Sequence, residues 1–155
     1  MDDVTVARAL HVFGVVLWIG GVGFVTTVLL PAVARIKSRD ERLAFFTMIE
    51  RRFAWQARAT TLLVGVSGIH MMYRWDLWGR LASLDYWWMH LMVAVWAVFT
   101  VMLFVAEPLF LHKWLKARAA RRPDAVFRLI QRLHWVLLIL SLVAVLGAVI
   151  GSHGG

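Results

Sequence analysis

Long apolar runs alternate with basic segments along this chain. The runs extend from about Ala9 to Leu30, Ala59 to Met72, Tyr86 to Leu111 (broken by Glu107) and Leu133 to Gly151. A hydrocarbon core about 30 Å thick takes roughly 20 helical residues. The first, third and fourth runs reach that length. The second reaches it when its helix starts near Phe53 and Arg58 snorkels to the interface. The pattern predicts an all-α, integral membrane four-helix bundle in one domain over 1–155, with helices at about 5–34, 53–73, 86–112 and 124–152. A connection with an amphipathic stretch, Leu43 to Ile49, separates the first two helices. Pro123 with Asp124 marks the start of the last helix, because proline is tolerated in a first turn. Asp2 and Asp3 stand where a cleavable leader would be basic, so the first run is expected to stay as an anchor.

Charge sets the orientation. The net charge is +8, from 17 Lys and Arg against 9 Asp and Glu. Arg35, Lys37, Arg39, Arg42, Arg51, Arg52 and Arg58 lie in or beside the first connection. Lys113, Lys116, Arg118, Arg121, Arg122, Arg128 and Arg132 lie in or beside the third. Only Arg8, Arg74 and Arg80 fall on the other side. The positive-inside rule then directs both basic connections to the cytoplasm and both termini outward. The expectation is a multi-pass protein of a bacterial inner membrane with periplasmic termini. The charge is spent on topology and accompanies no nucleic-acid motif.

Candidate chemistry rests on histidine. There is no cysteine, which removes thiolate metal sites, iron–sulfur clusters and cysteine nucleophiles. At 1.5 Å per residue, His11, His70 and His90 fall near the outer ends of three helices, with His153 just beyond the fourth. His112 and His134 fall near the inner ends. An ionisable residue in a span is a functional candidate, because burying it in lipid is costly. Gly14 and Gly21 follow His11 on roughly one side, and Trp18 lies seven residues after it. Ala94 and Ala97 follow His90; Ser141, Ala144 and Ala148 follow His134. Imidazole with small residues beside it suits a haem between helices, although small residues also serve helix packing in lipid. Met71 and Met72 beside His70, and Met89 and Met92 around His90, suit Cu(I) instead. Glu107, next to Pro108, is a candidate for proton exchange or for an ion pair with Arg132 or His134. Trp75, Trp78, Tyr86, Trp87 and Trp88 read as an outer interfacial belt.

The stretch from Arg8 through His11 to Trp18-Ile-Gly-Gly21 resembles the first membrane helix of the HemJ type of protoporphyrinogen oxidase and of the related CopD-like membrane domains. Trp88-Met-His90-Leu-Met92 resembles the start of that family's third helix, and Phe127-Arg128 resembles its last. The layout matches over most of the chain, with specific motifs in helices one and three. The resemblance implies a four-helix membrane protein holding haem b through His11, with weight added to His90. One departure stands out: Met92 occupies the position of a family lysine.

The expectation is thus a haem b membrane protein acting in electron transfer or a membrane oxidoreductase reaction near the periplasmic face. Its partners would be the bilayer and a quinone or a periplasmic redox protein, with an oligomer allowed. His11, His90 and His70 are the candidate ligands, and His112 with His134 could serve a second haem. A copper-handling module and a cofactor-free structural subunit are the competing classes.

Overall fold

The first helix begins where its sequence provides a cap. The Asp2 carboxylate accepts the Thr5 N–H at 2.6 Å, satisfying one free donor of the first turn. In the computed structural model, which describes residues 2–36, 38–111 and 123–152, α1 runs Asp3–Phe24. It widens into a π-helical turn over Val25–Leu29 and resumes as α2, Leu30–Ala34. Pro31 sits in the first turn of α2, and wide turns are common where a proline lacks its N–H.

The second helix is longer than its apolar run. α3 spans Arg39–Arg74, so the amphipathic stretch expected in a connection is part of this helix. The reason lies at its start. Ser38 is the N-cap and its hydroxyl accepts the Glu41 N–H at 3.4 Å, the Ser-x-x-Glu signature of a helix start. No Gly or Pro follows until Gly65, so nothing ends the helix. After Arg74 the chain turns through Asp76, whose φ of 49° is left-handed, a conformation Asp tolerates better than most residues. Two short 3₁₀ segments, Leu77–Ala82 and Leu84–Tyr86, lead into α4, Trp87–Val101. That helix continues as a π-helix over Met102–Leu111, with Pro108 inside it. α5 runs Pro123–Ser152 and starts at the expected proline.

The described residues are helical apart from short turns. Three segments are long and apolar enough to cross a membrane: Asp3–Ala34, Leu84–Leu109 and Ala125–Gly151. α3 is not among them, because even its C-terminal half is diluted by polar residues, Gln56, Arg58, Thr60, Thr61, Ser67 and His70. α1 packs chiefly on α3, and α4 on α5. The shared core joins Trp18 and Val22 of α1, Ala57 and Val64 of α3, Val95 and Phe99 of α4, and Leu138 of α5. Val25, Leu29, Leu30 and Val33 form a second cluster against Phe53, Phe127 and Ile130. The outward faces are apolar instead of polar: Val16, Leu62, Val66, Leu146 and Ile150 are all more than half exposed. Surfaces of this extent mark contact with lipid or protein.

Candidate functional site

His11 reaches across from α1 to α3. Its Nδ1 lies 3.0 Å from the Val64 carbonyl and 3.2 Å from the Ser67 hydroxyl. A carbonyl can only accept, so Nδ1 donates and the neutral ring keeps its lone pair on Nε2. The Ser67 hydroxyl itself donates to Leu63 O at 2.6 Å, which leaves its oxygen free to share the His11 proton. The ring edge lies over Gly68, where a Cβ would stand 3.2 Å from His11 Cε1. Among the described residues Nε2 has no hydrogen-bond partner.

His90 and His70, expected at the same depth as His11, are engaged differently. His90 faces two carbonyls, with Nδ1 3.1 Å from Tyr86 O and Nε2 3.0 Å from Leu81 O. A metal at either nitrogen would displace one of these contacts. His70 Nε2 lies 3.3 Å from Asp3 Oδ2, and Arg74 Nε reaches the same oxygen at 2.8 Å. That cluster is about half exposed and ties the start of α1 to the end of α3. His134 Nδ1 lies 2.9 Å from Ile130 O on its own helix, so the neutral ring again offers Nε2. A Cβ on Gly23 would stand 3.8 Å from Leu138 Cδ1, and His134 lies one turn before Leu138, on the side away from His11. Gly23 is 12 residues below His11, about 18 Å along the helix. His11 and His134 therefore cannot share one metal. His112 and His153 lie outside the described residues. Among the described residues no three His, Asp or Glu side chains converge on a metal-sized centre.

The small residues beside His11 are already covered. A Cβ on Gly14 would meet Val64 Cγ2 at 2.8 Å, and a Cβ on Gly21 would overlap the Phe53 ring. Both glycines let α1 and α3 approach closely. Ser141 and Ala144 are buried, whereas Ala94 is exposed. Trp18 is buried with its ring edge-to-face on Phe99 at 4.9 Å between centroids. Among the described residues, its Nε1 and the hydroxyl of Thr61 are buried without a hydrogen-bond partner. Trp96 Nε1, by contrast, donates to the Thr61 carbonyl at 3.0 Å. Of the expected belt, Trp75, Trp78 and Trp87 are each about half exposed.

Glu107 pairs with an arginine that its place in the chain assigned elsewhere. Arg58, expected to snorkel, joins α3 to the π segment. One guanidinium nitrogen lies 3.2 Å from Glu107 Oε1, and Nε donates to Leu103 O at 3.1 Å. Leu103 is five residues before Pro108. In π-helical pairing the N–H of residue 108 would serve that carbonyl, and proline has none. Arg58 supplies the missing donor. Pro108 is the clue the sequence carried; which helix would answer it was not legible. No protein-family model, curated protein or solved structure matches the chain.

Proposed function

We propose that this chain is a four-span membrane protein that holds one haem b through Nε2 of His11 and moves electrons near the outer face. The observation that carries the reading is the His11 Nδ1 contact with Val64 O. Histidines that ligate a metal commonly donate the other ring N–H to a carbonyl, which fixes the tautomer and orients the lone pair. Imidazole is an axial haem ligand, and a bound haem would supply one-electron chemistry. Val64 and Ser67 would orient the ligand, and Gly68 would leave its ring room. Gly14 and Gly21 belong to helix packing in this reading, not to a macrocycle face. His134 is the candidate for a second, inner site.

Depth supports α3 as the fourth span. From Arg74 to Arg52 is 22 residues, about 33 Å of helix; the first apolar run, from Ala9 to Leu30, is 21 residues, about 32 Å. Both match a hydrocarbon core of about 30 Å. Between these levels α3 exposes Leu62, Val66 and Ile69, an apolar face suited to lipid. The excess of Lys and Arg near the Arg52 end directs that end to the cytoplasm and the termini to the periplasm. The resemblance to HemJ-type and CopD-like membrane domains agrees with this layout.

The test is the absorption spectrum of the full chain purified in mild detergent, with a metal assay on the same sample. A Soret band that shifts on reduction is the expected result. Copper at stoichiometric level without Soret absorption would replace haem with the copper-handling reading. Neither metal would leave a structural subunit.

A further inference from the structure

A groove of about 390 Å³ opens between α1 and α3 near their cytoplasm-directed ends. Phe24 and Val25 of the first span line it with Ile49 and Phe53 of α3, and Arg52 and Gln56 stand at the same wall. Its floor is the Phe53 ring lying across Gly21. The groove is thus apolar within and polar at one side. Phe24 lies six residues, about 9 Å of helix, before the end of the first apolar run at Leu30, so an arginine side chain at this level can reach the headgroups by snorkelling.

Arg52 is exposed, and among the described residues its guanidinium has neither a hydrogen bond nor an ion pair. This contrasts with Arg58, six residues on, which is committed to Glu107 and Leu103. A cation left free among the described residues, within reach of the headgroups and beside an apolar groove, is complementary to one class of molecule. We infer that the groove binds an anionic phospholipid, with its phosphate on Arg52 and Gln56 and one acyl chain over Phe53 and Phe24. Basic pockets between spans on the cytoplasmic side commonly hold anionic headgroups. A planar guanidinium suits a phosphate diester, which it can engage with two N–H groups. A neutral amphiphile such as a quinone would leave that charge unanswered. The inference rests on the membrane reading but not on haem, because the lipid is counted whether or not a cofactor is bound.

The test is native mass spectrometry of the full chain released from nanodiscs of phosphatidylcholine and phosphatidylglycerol. Wild type is expected to retain one phosphatidylglycerol in preference to phosphatidylcholine. Arg52→Ala should lower that preference about five-fold, the factor that corresponds to about 1 kcal/mol per cation near an anionic surface. Arg52→Lys should keep part of it, and Ile49→Trp, which fills the groove, should lower retention of both lipids. Arg8→Ala, an exposed arginine near the other end of α1, should change nothing. Equal retention by Arg52→Ala and wild type would overturn the inference. So would an equal loss in Arg8→Ala, or retention of phosphatidylcholine as strong as that of phosphatidylglycerol. Arg52→Lys conserves charge and size, so it gives a reading even if Arg52→Ala folds poorly.

Discussion

Arg58 of α3 completes the π segment that follows α4 by donating its Nε–H to the carbonyl of Leu103, 45 residues away in sequence. The contact replaces the amide hydrogen that Pro108 lacks, and the same guanidinium pairs with Glu107. Arg58→Met should cost about 2 kcal/mol, the range for a hydrogen bond to a charged group, and should lower the melting temperature in detergent. Pro108→Ala returns an N–H to the π segment, so Arg58→Met should cost less in that background. A double-mutant cycle measures the difference. Strict additivity would break the link between the arginine and the proline.

His11 depends on its setting as well as its own ring. Gly68→Leu would push a side chain into the space of the imidazole edge, which already lies within 3.2 Å of a Cβ position. It should lower haem occupancy nearly as far as His11→Ala does. Gly20→Leu, where nothing lies within 4 Å of the added carbon, should leave occupancy unchanged. Haem-to-protein ratios of the three variants make the comparison, and full occupancy in His11→Ala would remove His11 as the ligand.

Thr61 carries a buried hydroxyl with no hydrogen-bond partner among the described residues. An unsatisfied buried polar group costs about 1–3 kcal/mol. Thr61→Val keeps the shape and removes the hydroxyl, so it should raise thermal stability by about 1 kcal/mol. A lower melting temperature would mean that the hydroxyl has a partner in the membrane.

The crossing of α3 can be read by chemistry, because the chain has no cysteine of its own. Ser38→Cys and Trp78→Cys lie beyond opposite ends of α3. In sealed inside-out and right-side-out vesicles, an impermeant thiol reagent should reach Ser38→Cys only from the cytoplasmic side and Trp78→Cys only from the other. Labelling of both from one side would mean that α3 does not cross.

Much of the fold was legible because apolar length and charge placement act locally. The start of α5 at Pro123 and the long first span follow from single residues and runs. The start of α3 was missed because a hydropathy reading stops at the charges of 39–52, while the Ser38 cap and the unbroken helix formers carry the chain through them. The site was less legible for a different reason. His11 and His90 share a depth in the sequence, yet His11 turns to Val64 while both nitrogens of His90 meet carbonyls. Rotation about the helix axis, and therefore the partner of each ring, is set by packing. Arg58 shows the same limit, since snorkelling and pairing with Glu107 are equally compatible with its position in the chain.

The wide turn at Val25–Leu29 also bears on how this chain can change length. An α-helix turns about 100° per residue, so losing one residue in mid-span would swing every later side chain to a different face. A π turn already holds an extra residue. A deletion within Val25–Leu29 would let it tighten into α-helix while Leu30 and Val33 keep facing the core. Length variation in the first span is therefore best absorbed there, and not beside His11.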